Sequence, residues 1–133
     1  NTISADFVFD AIDLLLTKAR IIDFCLKNNL QFISALGASS KKDITKIRCG
    51  YLEDVSNCAI AKRLKYQLNK LNNRPLKKIP VVYSIESSLK PKIFLDNIDN
   101  KKKIVNGSIA HITNTFGAFC VNYFFNIINQ SGN

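Results

Sequence analysis

The alternation of hydrophobic and polar positions is clearest at the start of the chain. Residues 6–10 (DFVFD) form a short apolar run flanked by acidic side chains, which is typical of a central parallel strand. Residues 14–29 repeat apolar side chains at a 3.6-residue period, which predicts an amphipathic helix that stops at an Asn-Asn pair. Residues 31–36 (QFISAL) predict the next strand. The range 6–36 is therefore expected to form a strand, a helix and a strand joined by the right-handed crossover of a parallel sheet.

The pattern in the middle of the chain predicts an edge strand and a second helix. TKIRCGYL (45–52) alternates weakly, as an edge strand does. Residues 56–71 show a helical period, and Ser56 is placed to cap that helix. Five side chains mark the expected inner face of the helix: Ile60, Leu64, Gln67, Leu68 and Leu71.

The remaining residues combine loops with one long apolar helix. VVYSIES (81–87) predicts a strand, and residues 88–103 predict a loop that contains a short strand at 92–95 and ends in the charge run NKKK. Residues 107–129 predict a closing helix, which Gly117 either divides in two or turns into a point of close contact. The whole pattern predicts one α/β domain in three parts: the strand-helix-strand unit 6–36, the edge strands, basic helix and loops of 45–103, and the closing helix of 104–130.

The chain is strongly basic. It has 133 residues, with 19 Lys and Arg against 10 Asp and Glu, so its formal net charge is +9. A basic surface of this size attracts nucleic acid and other polyanions. The many Asn, Lys and Ile residues equally fit the composition that an AT-rich genome imposes. No apolar run approaches the roughly 20 residues that span a bilayer, and no secretory signal is present, so we expect a cytoplasmic protein, with association with mitochondria as the alternative.

The cysteines and the histidine do not form a metal-binding pattern. Cys25 and Cys120 fall in apolar helical patterns and are expected to be buried as small hydrophobic side chains. Neither they nor Cys49 and Cys58 form a C-x-x-C pair, so we do not expect a structural zinc site made by this chain. His111, the one histidine, stands in an apolar helical pattern, where a core or interface role is more common than that of a base.

Asp13 is the leading candidate for chemistry because it lies between the first strand and the first helix. A carboxylate there can hold a Mg²⁺ bound to nucleotide phosphates, and it can equally be a helix N-cap worth about 1 kcal/mol. Lys18 is within reach of a phosphate or is simply solvated, and Asp10 is expected to orient a loop by accepting backbone N–H bonds. GASSKKD (37–43) follows the second strand. Gly37 and Asp13 are therefore expected to face one crevice, because open α/β sheets bind ligands at the carboxyl ends of their strands.

Several blocks of the sequence resemble one family. DFVFDAID with LLLTKARIIDFCLKNNL is similar to the second half of the ThiF/MoeB-type adenylating fold, which ubiquitin-activating enzymes share. Asp13 and Lys18 match its D-A/C-x-D and the later Arg or Lys. The resemblance implies the C-terminal part of a Rossmann-like α/β fold with a mixed sheet. The blocks ISALGASSKKDITKIRCGYLEDV, AIAKRLKYQL, VVYSIESSLKP and NGSIAHITNTFGAFCVNYFF resemble, in order and spacing, the branch of tRNA threonylcarbamoyladenosine dehydratases (TcdA/CsdL). The chain departs from the family where Leu14 replaces an Asn or Ser, and where Ser39 and Ser40 replace glycines.

The resemblance implies an enzyme that uses ATP and magnesium to adenylate the carboxylate of N6-threonylcarbamoyladenosine in tRNA and then cyclises it with loss of AMP. In this scheme Asp13 holds the metal and the polyphosphate, Lys18 offsets phosphate charge, and Gly37 belongs to the same nucleotide site. The implied partners are tRNA, a second copy in a homodimer, and a sulfur-carrier or cysteine-desulfurase-type protein. Phosphate contacts with tRNA are expected from Arg63 and Lys65, with Arg48, Lys77 and Lys78 as secondary contacts.

The resemblance also leaves alternatives. The family's glycine-rich loop, ribose acid and phosphate Arg are expected upstream of Asn1, so we expect the 133 residues alone to be inactive. One alternative is an enzyme that adenylates a ubiquitin-like or sulfur-carrier protein, with Cys49 or Cys58 as acceptor. Another is a non-catalytic half-domain that binds tRNA or a partner through its basic helix. A nicotinamide-dependent oxidoreductase ranks last because the chain has no G-x-G-x-x-G.

Overall fold

The computed structural model describes residues 5–56, 58–71, 78–87, 92–95, 102–105 and 107–131. Its elements are, in chain order, β1 (Phe7–Asp10), α1 (Leu15–Lys27), β2 (Gln31–Ala35), β3 (Ile47–Tyr51), α2 (Ala59–Leu71), β4 (Pro80–Ser84), β5 (Lys92–Leu95), β6 (Lys102–Val105) and α3 (Ala110–Ser131). Two short 3-10 turns, Ile44–Lys46 and Leu52–Asp54, flank β3.

Four strands form a mixed sheet in the order β1-β2-β4-β3. β1 and β2 pair in parallel, with Asp10 opposite Ser34 at the carboxyl end, and β2 and β4 are also parallel. β3 pairs with β4 in the antiparallel direction and occupies an edge. The parallel strand-helix-strand unit and the edge strand predicted from the sequence are therefore confirmed. β1, which was predicted as a central strand, instead forms the other edge of the described sheet.

Helices cover both faces of this sheet. On one face, α1 and α2 bury Ile22 and Leu64 in a cluster with Val81 of β4. On the other face, α3 packs Phe116 against a cluster that contains Ile33 of β2. The arrangement has three layers, which is the usual way to cover a parallel sheet whose strands are apolar on both faces.

Two predicted helix caps are wrong. The residue that caps α1 is Leu14, which makes no side-chain hydrogen bond, so Asp13 is not an N-cap. The helix predicted from Ser56 begins at Ala59, which leaves Ser56 too far away to cap it. The predicted stop of α1 is confirmed, because the helix ends at Lys27 and Asn29 takes the left-handed conformation with φ of 52°.

Other differences concern faces and pairing. Ile60 and Leu71, predicted on the inner face of α2, are more than a third exposed, whereas Leu64 and Leu68 are fully buried. The charge run NKKK was expected in a loop, but part of it enters β6, which pairs with β5. α3 is one continuous helix. A Cβ added to Gly117 would meet nothing within 4 Å, so Gly117 is not a point of close contact among the described residues.

Candidate functional site

A cavity of about 570 Å³ lies at the carboxyl ends of β1 and β2. Its wall includes the turn that joins β1 to α1, the loop after β2, Ile60 of α2 and Phe116 of α3. All three layers of the fold therefore contribute to it. The sequence predicted this crevice from the topology alone, and Asp13 and Gly37 both line it, as expected.

Asp13 is the accessible carboxylate of the cavity. It is exposed, and none of the described residues forms a hydrogen bond or an ion pair with its side chain. An unpaired carboxylate on the wall of a cavity can bind a cation without first giving up a protein partner. This arrangement fits the chemistry that the sequence predicted for Asp13.

Asp10, by contrast, belongs to a buried polar network below the cavity. Its Oδ2 atom accepts bonds from Lys18 Nζ at 2.8 Å and from Ser34 Oγ at 2.6 Å. Its Oδ1 atom accepts the backbone N–H of Ile12 at 3.1 Å. The prediction that Asp10 orients a loop through a backbone N–H is confirmed.

Lys18 lines the same cavity but is almost fully enclosed, with 3% of its surface exposed. Besides Asp10, its ammonium group donates to the carbonyl oxygen of Ala35 at 2.8 Å and to Ser34 Oγ at 3.2 Å. Lys18 therefore lines the same cavity as Asp13 and Gly37, but its ammonium group is already hydrogen-bonded to protein groups. Ser34 was missed by the sequence reasoning, and only its position at the end of a predicted strand pointed to it.

The loop after β2 is fixed at several points. Gly37 follows β2 directly, and a Cβ added there would lie 2.2 Å from Cδ1 of Ile60, so α2 approaches the loop closely. Ser40, which replaces a family glycine, has φ of 60°, a conformation that glycine adopts more easily. The backbone N–H of Ser40 donates to the carbonyl oxygen of Gly107 at 2.8 Å. The loop therefore keeps a glycine-like turn without a glycine at that position.

Two further contacts tie the end of this loop to its neighbours. A carboxylate oxygen of Glu86 accepts the backbone N–H groups of Lys42 and Asp43 at 3.0 and 3.1 Å. Nε2 of His111 lies 3.2 Å from the carbonyl oxygen of Lys42, to which it can donate. His111 is exposed at the start of α3, so of the core or interface role expected from the sequence the core position is excluded. Its contact with Lys42 joins the start of α3 to the loop.

The basic residues predicted to contact tRNA lie on different elements. Arg63 is exposed on α2, whereas Lys65 on the same helix donates to the carbonyl oxygens of Glu53 and Val55 at 3.1 and 3.0 Å. Arg48 on β3 is exposed and donates to two carbonyl oxygens of its own segment. Lys78 is exposed next to β4. Lys77 lies outside the described residues.

The thiols follow the predicted burial. Cys25 and Cys120 are buried, as expected, and burial raises the pKa of the Cys120 thiol to about 11. Cys49 is exposed on β3 and Cys58 is half-buried before α2. Although the Cys49 residue is exposed overall, partial desolvation of its thiol raises the pKa, which lowers the fraction of nucleophilic thiolate at neutral pH. This works against Cys49 as the acceptor that a ubiquitin-like substrate would need.

Two further observations concern metal ligands and membrane-spanning helices. Within the described ranges, no three His, Cys, Asp or Glu side chains come together as a set of metal ligands. None of the helices in the described part of the chain is both long and apolar enough to cross a membrane.

Three sequence relatives of the chain are tRNA threonylcarbamoyladenosine dehydratases. No family model matches the chain. The chain is 36% identical over 81 residues to tRNA threonylcarbamoyladenosine dehydratase 2 of Saccharomyces cerevisiae, covering 61% of this chain and 18% of that protein. It is 31% identical over 84 residues to the Bacillus subtilis dehydratase, covering 63% and 32%. It is 29% identical over 124 residues to that of Haemophilus influenzae, covering 87% and 48%.

Solved structures give the same fold. The chain superposes on the E. coli dehydratase TcdA with a TM-score of 0.82 at 22% identity, covering 98% of this chain and 51% of that one. The TcdA complex with ATP gives a TM-score of 0.81 at 22% identity, with 98% and 50% covered. The chain spans about half the length of these structures, and half or less of the curated relatives. The resemblance to the TcdA branch and the mixed α/β fold predicted from the sequence are confirmed.

Proposed function

Since the chain resembles the TcdA branch of the ThiF/MoeB-type adenylating proteins in sequence and in fold, we propose that it is part of an ATP-dependent dehydratase of N6-threonylcarbamoyladenosine in tRNA. The observation that carries the proposal is the cavity at the carboxyl ends of β1 and β2, with the unpaired carboxylate of Asp13 on its wall. Ligands of open α/β sheets bind at this edge. A TcdA structure that shares this fold contains ATP.

The reaction begins with attack of the threonyl carboxylate on the α-phosphorus of ATP, which releases pyrophosphate. The acyl adenylate then carries AMP as a good leaving group, and an atom of the neighbouring carbamoyl group closes the ring by attacking the activated carbonyl. Both groups belong to one nucleoside, so the second step is intramolecular and favoured by proximity. The protein must hold the polyphosphate, keep water from the adenylate and orient the nucleoside.

Magnesium is part of the proposal because the resemblance implies it, and the residues present fit it. Mg²⁺ uses one or two carboxylates together with phosphate oxygens and water, and Asp13 supplies one carboxylate that no described side chain neutralises. When bound, the ion would offset charge on the polyphosphate. Asp10 is not a second ligand in this arrangement, because Lys18 and Ser34 already engage its Oδ2 atom.

The tRNA contact is proposed on the basic face of α2. Arg63 is exposed there, and Lys62 and Lys70 extend the positive surface of the same helix. Lysine and arginine that contact phosphates position a nucleic acid without reading its sequence. A homodimer and a sulfur-carrier or cysteine-desulfurase-type partner belong to the proposal only through the resemblance, and the cytoplasmic location stays an expectation from the sequence.

The test is to incubate the full-length protein with ATP, magnesium and tRNA that contains N6-threonylcarbamoyladenosine, and to digest the tRNA for mass spectrometry. We expect the nucleoside to lose one molecule of water in an ATP-dependent manner. A full-length protein that binds ATP but leaves the nucleoside unchanged would contradict the proposal. Loss of water without ATP would contradict it as well.

A further inference from the structure

Lys18 is the buried cation of the site, and its bonding capacity is filled by the protein. An ammonium group has three N–H donors. Those of Lys18 point to Asp10 Oδ2 at 2.8 Å, Ala35 O at 2.8 Å and Ser34 Oγ at 3.2 Å. The side chain is 3% exposed, and the carboxylate of its partner Asp10 is fully buried. A phosphate could gain a bond from Lys18 only if one of these contacts broke.

The charge of Lys18 is also balanced within the network. A buried cation is tolerated when an opposite charge and hydrogen-bonding groups surround it, and removal of one partner leaves the other charge buried and unpaired. Asp10 supplies that opposite charge, and Ser34 Oγ donates a further bond to the same Oδ2 atom at 2.6 Å. The group consisting of Asp10, Lys18 and Ser34, here called the buried triad, joins α1 to the carboxyl ends of β1 and β2.

The buried triad holds the backbone before Asp13, and the first backbone bond of α1 holds the backbone after it. The Oδ1 atom of Asp10 accepts the N–H of Ile12, the residue before Asp13, at 3.1 Å. The backbone N–H of Lys18 donates to the carbonyl oxygen of Leu14, the residue after Asp13, at 2.9 Å. The Asp13 side chain makes no bond of its own with the described residues, so these two neighbours determine where it points.

We propose that Lys18 is a positioning residue rather than a phosphate ligand: through the buried triad it holds the turn from Ala11 to Leu14 so that Asp13 faces the cavity. The proposal rests on the function given above, because it assigns Asp13 a role toward the nucleotide. It replaces the role of Lys18 as a phosphate partner that the sequence resemblance implied. The same bonds that immobilise Lys18 explain how a short turn can keep one exposed carboxylate in place.

The first experiment compares Lys18→Met, Asp10→Asn and the double variant of the full-length protein, by chemical unfolding and by titration with ATP in the presence of magnesium. Lys18→Met alone leaves the Asp10 carboxylate buried without its cation, so we expect the folding equilibrium to fall by on the order of a hundredfold. The double variant removes both charges and is expected to recover about tenfold or more of that loss, together with part of the ATP affinity.

A direct phosphate ligand would behave differently. In that case the added Asp10→Asn change could not restore ATP affinity, because the cation that binds phosphate would still be missing. A double variant that binds ATP no better than Lys18→Met, although it is as stable as Asp10→Asn, would therefore overturn the proposal.

The second experiment combines Lys18→Met with Asp13→Asn and measures ATP affinity. If Lys18 acts through Asp13, the double variant should bind ATP about as weakly as the weaker single variant, since residues that act as one unit are not additive. If the loss of ATP affinity in the double variant equals the product of the two single-variant losses, the proposal is contradicted. If Lys18→Met does not fold, Ser34→Ala serves in its place, because it removes one bond of the buried triad and leaves both charges present.

These measurements separate the inference from the proposed function. ATP affinity and unfolding do not depend on tRNA, so a protein that shows the expected coupling but does not dehydrate the nucleoside refutes only the proposed function. A protein that dehydrates the nucleoside but shows multiplying losses for Lys18→Met and Asp13→Asn refutes only the inference.

Discussion

Asp13 and Lys18 lie five positions apart in the sequence but in opposite environments. Asp13 is exposed on the wall of the cavity, and Lys18 is buried with its three donors engaged. The helical period carries a signal for this difference. Lys18 falls four residues before Ile22 and seven before Cys25, both fully buried, so it occupies the inner face of α1. At the scale of single residues, the inner face of α1 accounts for the burial of Lys18, and the turn before α1 leaves Asp13 exposed.

Asp13→Asn should separate activity from stability. The side chain has no described partner, so the free energy of unfolding is expected to change by less than about 0.5 kcal/mol. Dehydration of the nucleoside should fall by on the order of a hundredfold, because the amide cannot offset the charge of a bound cation. Asp6→Asn is the matched control, since Asp6 is also exposed and precedes β1. Equal losses in the two variants would contradict a specific role for Asp13.

Cys120 provides a prediction about pH. Its pKa is raised from 9.0 to about 11 by burial, so the unfolded state loses the thiol proton first as the pH rises. The stability that Cys120 contributes is therefore complete below pH 9 and declines toward pH 11, by about 2 kcal/mol. We expect the stability difference between the unmodified protein and Cys120→Ala to shrink by that amount over this range, as measured by urea unfolding. A constant difference would contradict the burial of this thiol.

At the scale of elements, the close approach of α2 to the end of β2 shapes the cavity. Gly37 leaves room for Ile60, whose Cδ1 would lie 2.2 Å from an added Cβ. Both residues line the cavity. Because Ile60 is 37% exposed, its side chain can rotate toward solvent, and the backbone need not move.

Gly37→Ala should consequently cost only about 1 kcal/mol of unfolding free energy, the penalty of an unfavourable rotamer at Ile60. Ile60→Val removes the Cδ1 atom, so Gly37→Ala should cost less in that background than in the unmodified protein. Urea unfolding of the four proteins measures this coupling. A larger cost in the Ile60→Val background would mean that the backbone, not Ile60, opposes a side chain at position 37.

The basic face of α2 predicts a change in the salt dependence of tRNA binding. Arg63→Ala should weaken binding by the full-length protein and reduce the slope of log affinity against log salt by about 1, as the loss of one phosphate contact does. Lys46→Ala is the control, because Lys46 is also exposed but lies in the 3-10 turn before β3. An unchanged slope for Arg63→Ala would remove α2 from the tRNA interface.

The helices and strands also show how much of the fold can be predicted from sequence patterns. The parallel strand-helix-strand unit and the edge strand follow from the hydrophobic period of the local sequence. The crevice follows from the topology that these elements imply. The caps at Asp13 and Ser56 were wrong because the helices begin later than the pattern predicts, at Leu15 and Ala59. β6 was missed because a Lys-rich run resembles a loop when its pairing partner β5 is not considered. The buried triad depends on register between β1 and β2, which no local pattern specifies.

At the scale of the whole molecule, three layers meet at one cavity. The sheet supplies Asp10 and Ser34 at the ends of paired parallel strands, α1 supplies Lys18, and α3 closes the far side with Phe116. Solved structures with this fold include the E. coli tRNA N6-threonylcarbamoyladenosine dehydratase TcdA, of which the chain covers about half. The central hypothesis is that this cavity serves an adenylation reaction.

The products formed from ATP test that hypothesis most directly. The full-length protein is incubated with ATP and tRNA that contains N6-threonylcarbamoyladenosine, and the released nucleotide is measured beside the dehydrated nucleoside. Adenylation predicts one AMP and one pyrophosphate for each molecule of water lost, and neither product in the absence of the modified tRNA. Release of ADP and phosphate in step with dehydration would contradict adenylation, since it would mean that the carboxylate is activated by phosphorylation.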